Sequence, residues 1–551
     1  MNTKAAPDAG PVPMLESKEM AFEPLTPTAF LIRAGRTFAD RIAVIDEDRR
    51  YTYAQFLDRA LRLAGALRML GVSGGERVAV LAPNTHVLLE AHYGVPFAGA
   101  VLVALNPRLT SSDLAQIVGH AGASLLIYDH DFEAAAAEIS QKVGAALKLV
   151  RAGGEDQYAA GVDQYAAGED QYEAMLSKAT PYSCELADER GLLSINYTSG
   201  TTGIPKGVMY HHRGAYLQAL AMALHMQLDA GSVFLWTLPM FHCNGWCFTW
   251  AVTAAGATHL CLRKLDPAIV WTHLDISGVT HFNAAPTVLV MLAWHSAAPH
   301  ERRARSVRIA TGGAPPTPAL LARMAELGMD VTHLYGLTET FGPAVICDWR
   351  PEWRSLPADE QAQLKARQGV GNVISQALRV VDSHGSDVAA DGRTLGEIAL
   401  RGNNVMLGYY RDADATRQAA PDGWFRTGDI AVMHADGYIE IKDRSKDIII
   451  SGGENIASIE IERVLSAHPA VLEAAVVAGP DAKWGEVPVA FVALKPGAHV
   501  GSDELIAHAR ASLAHFKAPK TIVFGELPKN ATGKIQKFIL RERAKSTAAI
   551  E

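Results

Sequence analysis

The sequence predicts an α/β fold that is divided into more than one domain. Its 551 residues exceed what one hydrophobic core usually serves, so at least two domains are expected. Apolar runs of strand length at 77–81, 124–128 and 474–478 alternate with segments of helical period. This alternation predicts parallel sheets flanked by helices.

Composition excludes several classes of protein. The chain is 49% hydrophobic and 20% charged, with a net charge of -8, which argues against a generic nucleic-acid surface. Apolar runs fall short of the roughly 18 residues that a membrane helix needs, so no integral membrane association is expected. The five cysteines form no paired motif, which disfavours a disulfide framework or zinc site and favours a cytoplasmic location.

Three polar segments are expected to lie outside the cores. Residues 1–20 lack the apolar stretch of a signal peptide and are predicted to be a disordered tail. In 155–173 the unit Asp-Gln-Tyr occurs three times, which predicts a duplicated surface loop. Residues 353–367 are rich in Glu, Gln and Ala and are predicted to form an exposed helix.

Residues 197–208 are the most distinctive segment, and they follow a strand-like run at 192–195. Glycines allow backbone N–H groups to approach phosphate oxygens, hydroxyls add donors, and a lysine adds positive charge. A Walker A loop is excluded, because Pro205 precedes Lys206 and Gly207 follows it. A plain polar loop is the alternative, but this residue order predicts a polyphosphate-binding loop formed by Thr198, Ser199, Gly200, Thr201, Thr202, Gly203 and Lys206.

This segment resembles the signature of the adenylate-forming (AMP-binding) superfamily, which includes acyl-CoA synthetases, firefly luciferases and peptide-synthetase adenylation domains. Segments that resemble its adenine, magnesium, ribose, hinge and C-terminal lysine motifs follow in order at 312–315, 335–340, 424–429, 442–456 and 528–537. The resemblance covers about residues 25–545 and is to the acyl-CoA synthetase, or fatty-acid–CoA ligase, branch.

The resemblance implies the adenylate-forming enzyme fold. A large N-terminal domain of α/β subdomains would span 21–443, a hinge 444–446, and a small mobile α+β C-terminal domain 447–551. A C-terminal domain of this length lies within the usual range for domains.

The resemblance also implies Mg²⁺ as cofactor and ATP and CoA as co-substrates. Glu339 would help to hold Mg²⁺, which prefers carboxylate oxygens, and Thr338 would bind the α-phosphate. Tyr335 would face adenine, while Asp429 and Arg444 would bind ribose. Structural roles are the alternatives: Tyr335 in a core, Glu339 in solvent and Asp429 in a turn. The remaining predicted nucleotide contacts are Gly313, Ala314, Pro315 and Gly336.

Lys534 would enter the site during adenylation and stabilise charge on the carboxylate and the α-phosphate. It is grouped with Thr338, Glu339 and His242 as catalytic. The small domain would then rotate about Lys446 and present CoA-binding residues, predicted as Gly452, Gly453 and Glu454. An exposed terminal lysine and a charged turn residue are the alternatives for Lys534 and Lys446.

Residues 239–248 resemble the lining of an acyl tunnel. His242 would lie near the carboxylate and Trp246 would narrow the wall, which predicts short- to medium-chain fatty acids. A buried helix face is the alternative for Trp246 and Phe248. The predicted acyl pocket consists of His242, Asn244, Gly245, Trp246 and Gly312.

The sequence therefore predicts an acid–thiol ligase of fatty acid metabolism. It would convert a carboxylic acid, ATP and CoA to acyl-CoA, AMP and pyrophosphate through an acyl-adenylate. Its partners would be these small molecules, with no nucleic acid, and a homodimer is compatible with the sequence. We expect no carrier domain after residue 551, which would favour free CoA as acceptor. The alternatives are an aryl-acid CoA ligase and a non-catalytic acyl- or nucleotide-binding protein of the same fold.

Overall fold

The computed structural model describes residues 22–154, 170–198, 205–376, 378–444, 447–451, 454–481, 484–529 and 535–548. Within these residues the fold is α/β, with a large N-terminal and a smaller C-terminal domain, as the sequence predicts. The predicted tail at 1–20 lies outside the described residues. Among the described helices, none has the length and hydropathy to cross a membrane.

The first part of the N-terminal domain alternates strands and helices. Its strands are β1 Ile42–Asp46, β2 Arg49–Thr52, β3 Arg77–Leu81, β4 Val101–Ala104, β5 Ala123–Asp129, β6 Lys148–Ala152, β7 Leu192–Thr198 and β8 Lys206–His211. Its helices are α1 Thr28–Thr37, α2 Tyr53–Met69, α3 His86–Phe97, α4 Ser111–Ala121, α5 Glu133–Val143, α6 Gln171–Lys178 and α7 His212–His225. The predicted strand at 77–81 is β3, and that at 124–128 lies in β5.

The second part continues the alternation and ends in antiparallel strands. Its strands are β9 Val233–Leu235, β10 Thr258–Leu260, β11 His281–Ala284, β12 Val307–Thr311, β13 Met329–Leu337, β14 Gly342–Ile346, β15 Val370–Gly371, β16 Arg379–Val381, β17 Gly396–Leu400, β18 Phe425–Met433 and β19 Ile439–Arg444. Its helices are α8 Cys243–Trp246, α9 Phe248–Ala254, α10 Pro267–Ile276, α11 Pro286–Ala293, α12 Pro318–Glu326, α13 Ala358–Ala366 and α14 Ala413–Ala419. The helix predicted at 353–367 forms only over Ala358–Ala366, as α13. The prediction is wrong at its N-terminal end, where a 3₁₀ turn spans Pro351–Ser355.

Two mainly parallel sheets organise this domain, as predicted. One has the order β6-β5-β3-β4-β7-β8, and the other the order β15-β14-β13-β12-β11-β9-β10-β1-β2. Antiparallel pairing occurs towards their edges, where β8 pairs with β7, β13 with β14 and β1 with β2. Their central strands are apolar because helices cover both faces. Large side chains such as Phe56, Trp236 and Trp250 are fully buried in the core.

A third sheet, with the order β16-β17-β18-β19, is antiparallel throughout. It carries the predicted ribose-binding segment on β18 and ends at Arg444. The predicted hinge residue Lys446 is two residues further on and lies outside the described residues, so the predicted domain boundary stays a prediction.

The C-terminal domain has its own sheet and core. Its strands are β20 Ile449–Ser451, β21 Glu454–Ile456, β22 Val471–Asp481, β23 Gly485–Leu494 and β24 Thr521–Phe524, and its helices are α15 Ser458–Ser466, α16 Ser502–Ser512 and α17 Lys537–Ala548. The sheet order is β21-β20-β23-β22, with β24 parallel to β23. The predicted strand at 474–478 lies in β22. Val476 of this strand is buried in one cluster with Ile461 and Leu465 of α15.

The prediction of a surface loop at 155–173 is wrong at its C-terminal end, and residues 155–169 lie outside the described residues. Helix α6 begins at Gln171, and Asp170 caps it by accepting a hydrogen bond of 3.1 Å from the backbone N–H of Glu173. Tyr172 and Leu176 are buried on one face of this helix. The last copy of the repeat therefore starts a helix, because a capping Asp and apolar residues at helical spacing follow it.

Candidate active site

The two strands that flank the predicted phosphate loop pair directly. Strand β7 ends at Thr198 and β8 begins at Lys206, and these two residues lie opposite each other in the antiparallel ladder. The loop residues Ser199, Gly200, Thr201, Thr202 and Gly203 lie outside the described residues. The chain therefore leaves the sheet at Thr198 and re-enters it at Lys206, the residue that pairs with Thr198.

Lys206 and the predicted magnesium residue Glu339 are bridged by a tyrosine. The Nζ atom of Lys206 lies 4.7 Å from the centroid of the Tyr409 ring. The hydroxyl of Tyr409 donates a hydrogen bond of 2.8 Å to Oε1 of Glu339. Sequence reasoning missed Tyr409, whose only signal is the Gly408-Tyr409-Tyr410 run, because aromatic pairs are common in ordinary cores.

Thr338 and Glu339 lie on the 3₁₀ turn Thr338–Thr340 between β13 and β14. Tyr210 fixes this turn by donating a hydrogen bond of 2.6 Å to the carbonyl oxygen of Thr338. The Tyr210 ring stacks on Phe341, with centroids 3.9 Å apart. The turn is thus held from β8, the strand that follows the predicted phosphate loop.

The side chain of Thr338 contacts the predicted acyl segment. The thiol of Cys243 donates to Oγ1 of Thr338 over 3.5 Å. Burial raises the pKa of the Cys243 thiol to about 12, so the thiol stays protonated and acts as a donor. The predicted α-phosphate residue therefore borders the predicted acyl pocket.

Tyr335 and Arg444, two predicted nucleotide-binding residues, both contact the carboxylate of a third, Asp429. Asp429 is 3% exposed and accepts a hydrogen bond of 2.6 Å from the hydroxyl of Tyr335. Nε of Arg444 lies 3.1 Å from its other oxygen. Burial, followed by the nearby charge of Asp429, raises the pKa of Tyr335 well above its usual value, so the phenol remains a donor. Asp429 and Arg444 are opposite residues of β18 and β19.

The predicted adenine segment follows directly from the end of β12. Gly312 is buried, and a Cβ there would lie 2.7 Å from the carbonyl oxygen of Leu334. Gly313 is exposed and has a φ of 88°, a value that favours glycine. Ala314 and Pro315 are partly buried. Gly336 is needed for packing, because a Cβ there would overlap the carbonyl group of Gly342.

The predicted acyl segment contains a left-handed turn. Its consecutive positive φ angles are 48° at Cys243, 44° at Asn244, 61° at Gly245, 55° at Trp246 and 64° at Cys247. A left-handed conformation costs about 1–2 kcal/mol at each non-glycine residue, so tertiary contacts must hold it. A regular helix begins only at Phe248. The alternative of one buried helix face is therefore wrong for Trp246.

Asn244 fixes this turn to the strand that leads into the phosphate loop. Its side chain is fully buried, and its Oδ1 accepts hydrogen bonds from Oγ of Ser194 at 2.7 Å and Nδ2 of Asn196 at 2.6 Å. The backbone N–H of Asn244 donates to Oδ1 of Asn196 over 3.2 Å. Sequence reasoning missed Ser194 and Asn196, because they read as part of an apolar strand.

Trp246 and Gly312 come from separate segments and are neighbours. A Cβ at Gly312 would lie 3.2 Å from the Trp246 ring, and Trp246 is 6% exposed. His242, at the start of the turn, is partly buried. Gly245 packs on Trp236. Phe248, by contrast, stacks on Phe234 in the core, with ring centroids 5.1 Å apart.

The described residues include little of the predicted thiol-transfer site. Glu454 begins β21 and is exposed. Gly452, Gly453, Lys446 and Lys534 lie outside the described residues. Their roles stay predictions.

Two protein-family models match most of the chain. A family model described as AMP-binding enzyme matches residues 31–410, and one described as AMP-binding enzyme C-terminal domain matches residues 460–534.

Several curated relatives match nearly end to end. The chain is 43% identical to 4-hydroxybutyrate–CoA ligase 2 of Metallosphaera sedula, covering 95% of each chain. It is 44% identical to acetate/butyrate–CoA ligase AAE7, peroxisomal, of Arabidopsis thaliana, covering 96% of this chain and 95% of the relative. It is 41% identical to trans-cinnamate:CoA ligase, peroxisomal, of Petunia hybrida, covering 95% of each.

Among solved structures, the anthranilate CoA ligase AuaEII in complex with anthranoyl-AMP has the same fold. The TM-score is 0.82 at 26% sequence identity, over 96% of this chain and 99% of that chain.

Proposed function

Because the chain belongs to the AMP-binding enzyme family, we propose that it is an ATP-dependent acid–CoA ligase. It converts a carboxylic acid, ATP and CoA to acyl-CoA, AMP and pyrophosphate through an acyl-adenylate. The observation that carries the proposal is the contact between Cys243 and Thr338. It joins the acyl segment to the turn that bears Glu339, the carboxylate that Tyr409 links to Lys206.

In the first half-reaction a carboxylate oxygen attacks the α-phosphorus of ATP. The bond to the bridging oxygen breaks, and pyrophosphate leaves. The positive charges of Lys206 and Lys534 offset the charge that gathers on the phosphates. Tyr335, Asp429 and Arg444 bind the nucleoside, and the fixed geometry lowers the entropic cost of bringing the acid and ATP together.

Mg²⁺ fits the proposed triphosphate site. A partly buried carboxylate, Glu339, is the type of ligand that this cation prefers, and substrate phosphates and water supply its other ligands. When bound, Mg²⁺ neutralises phosphate charge. The hydroxyl of Tyr409 donates a hydrogen bond to Oε1 of Glu339.

In the second half-reaction the sulfur of CoA attacks the acyl carbonyl carbon. The bond between the acyl group and the phosphate oxygen breaks, AMP leaves, and the thiol proton passes to solvent. For this step the small domain rotates about Lys446, which withdraws Lys534 and presents Gly452, Gly453 and Glu454 to CoA.

The proposed substrates are short- to medium-chain fatty acids. The Trp246 ring lies beside Gly312, and the proposed role of this ring is to form one wall of the acyl pocket. The named activities of two relatives on acetate, butyrate and 4-hydroxybutyrate support an acid of this size. An aryl acid is the second candidate, because another relative is named for trans-cinnamate. A cytoplasmic location, a homodimer and a role in fatty acid metabolism remain predictions from the sequence, and the Arabidopsis and Petunia relatives are named as peroxisomal.

The test is CoA-dependent AMP formation with Mg²⁺-ATP across a panel of acids. The panel contains acetate, butyrate, 4-hydroxybutyrate, hexanoate, octanoate, palmitate, benzoate and cinnamate, with reactions that lack acid or CoA as controls. A maximum among straight chains up to octanoate supports the proposed substrate. A cinnamate or benzoate maximum replaces the substrate but keeps the reaction. ATP binding without AMP formation from any acid would contradict the ligase assignment.

A further inference from the structure

A short segment, residues 406–410, connects the two halves of the proposed triphosphate site. At one end the backbone N–H of Met406 donates to the carbonyl oxygen of Glu339 over 2.9 Å. At the other end the backbone N–H of Tyr410 donates to the carbonyl oxygen of Gly207 over 2.7 Å. The segment therefore bonds both to the turn that bears the proposed magnesium ligand and to the strand that leaves the phosphate loop.

The side chain of Tyr409 makes a second connection between the two halves, because its hydroxyl contacts Glu339 and its ring contacts Lys206. Its hydroxyl donates a hydrogen bond of 2.8 Å to Oε1 of Glu339. Its ring lies beneath the ammonium group of Lys206, with 4.7 Å between Nζ and the ring centroid. One side chain thus contacts both a carboxylate suited to a cation and a lysine suited to phosphate.

Each contact suits a positioning role. A phenol that donates a hydrogen bond to one carboxylate oxygen, as Tyr409 does to Oε1 of Glu339, restricts the rotation of the carboxylate. A cation on a ring face is held only weakly compared with a cation on phosphate oxygens. Lys206 can therefore leave the Tyr409 ring and bind phosphate oxygens of the nucleotide at a small cost in free energy.

We propose that Tyr409 is a positioning residue for the metal–triphosphate end of the site. Its hydroxyl orients Glu339 for the metal, and its ring holds Lys206 beside the phosphate loop until phosphate oxygens replace the ring. The proposal rests on the proposed function for the identity of the nucleotide, and it concerns binding rather than the chemical step.

The test separates the two parts of the side chain. Tyr409→Phe removes the hydroxyl and keeps the ring, whereas Tyr409→Leu removes both. Tyr410→Phe is the matched control, since Tyr410 is the next residue and its ring contacts His120 at 5.9 Å between centroids. Binding of ATP without acid is measured by calorimetry over a series of Mg²⁺ concentrations, and binding of AMP is measured in parallel.

The expected result is a selective loss of metal-dependent ATP binding. Tyr409→Phe should weaken ATP binding at fixed Mg²⁺ by about tenfold, the scale of one hydrogen bond to a charged group, and Tyr409→Leu should weaken it further. AMP binding should not change, because AMP lacks the β- and γ-phosphates. Tyr410→Phe should bind both nucleotides as the unaltered protein does.

A double variant tests whether the hydroxyl acts through Glu339. In a Glu339→Gln background, Tyr409→Phe should cause no further loss of metal dependence. An unchanged Mg²⁺ dependence in Tyr409→Phe, an equal loss of AMP binding, or full additivity in the double variant would each overturn the proposal. These binding measurements do not require catalytic turnover. Failure of the ligase assignment would be seen separately, as absent AMP formation in the acid panel with the unaltered protein.

Discussion

Two tyrosine hydroxyls hold the two acidic residues of the site. Tyr335 donates to Asp429 over 2.6 Å, and Tyr409 donates to Glu339 over 2.8 Å. Burial raises the pKa of both phenols, so neither loses its proton near neutral pH. Both carboxylates are therefore held in a fixed orientation before substrate arrives.

Trp246 is expected to set the length of the acid. Trp246→Gly should raise kcat/KM for octanoate relative to butyrate by about tenfold or more, because each methylene accommodated in an apolar pocket contributes about 1–3 kcal/mol. The measurement is the ratio of the two kcat/KM values. Phe248→Leu is the control, since Phe248 packs on Phe234 in the core. An unchanged ratio in Trp246→Gly would show that this ring does not limit chain length.

Lys534 is expected to act in adenylation. Lys534→Ala should slow acyl-adenylate formation by roughly 100-fold, the scale of one preorganised charge-stabilising group, while thioester formation from preformed adenylate suffers much less. Single-turnover assays of each half-reaction measure this. Lys529→Ala is the matched control, because Lys529 lies nearby in sequence and pairs with Glu473 at 2.6 Å. A normal adenylation rate in Lys534→Ala would exclude the proposed role.

Among the elements, the left-handed turn α8 and strand β7 act as one unit. Asn244 of the turn bonds to Ser194 and Asn196 of β7 through its buried side chain. The same strand ends at Thr198, where the predicted phosphate loop begins. The acyl pocket and the phosphate loop therefore share a rigid support, although they are distant in sequence.

Helices α2, α3 and α6 are joined by a buried charge network. Arg59 of α2 binds Glu90 of α3 at 2.5 Å and Glu173 of α6 at 2.6 Å. His86, at the start of α3, lies 2.5 Å from Asp46 and 3.6 Å from Glu173. Burial alone would lower the pKa of His86, but its hydrogen bonds to Asp46 and Glu173 raise it to about 9. The imidazolium is thus a second cationic partner of Glu173 on α6, beside Arg59.

This network predicts a loss of stability in mild alkali. Because the pKa of His86 is raised in the folded state, His86 stabilises that state fully below about pH 6.5. This stabilisation is lost as the pH rises through about 9. The loss should approach roughly 3 kcal/mol in the free energy of unfolding. It is measured as the fall in urea midpoint between pH 6 and pH 9.5. His86→Gln should flatten this fall, whereas the exposed His384→Gln should not; equal falls in all three proteins would contradict the assignment.

At the scale of the whole molecule, helix α15 joins the C-terminal domain to β19. The backbone N–H of Ser458 donates to Oδ2 of Asp443 over 2.5 Å, and Arg463 binds Glu440 at 2.9 Å. Rotation of the small domain about Lys446 would have to break or rearrange these contacts. The proposed two-step reaction therefore depends on a change at this junction.

Lys446→Pro should damage one half-reaction more than the other. Proline fixes φ near -65°, so the hinge would favour one orientation of the small domain. The rates of adenylation and of thioester formation from preformed adenylate are measured separately. Lys446→Ala, which leaves φ free, is the control. Equal loss of both half-reactions in a folded Lys446→Pro protein would contradict the hinge.

The sequence allowed much of the fold and the nucleotide side of the site to be predicted. Alternating apolar runs predicted strands such as β3 and β5, because burial on both faces of a parallel sheet requires continuous apolar residues. Ordered motifs predicted Tyr335, Asp429 and Arg444, which meet in the structure. These three residues could be predicted from the sequence because nucleotide binding requires particular residue types.

What the sequence by itself determined is the α/β class, the family and the residue types of the nucleotide site. Only the tertiary structure decided that residues 243–247 form a left-handed turn, that Asn196 supports it and that Tyr409 joins Lys206 to Glu339. The reason is physical: residues far apart in sequence create these contacts, and the turn is held by tertiary packing against its local backbone preference.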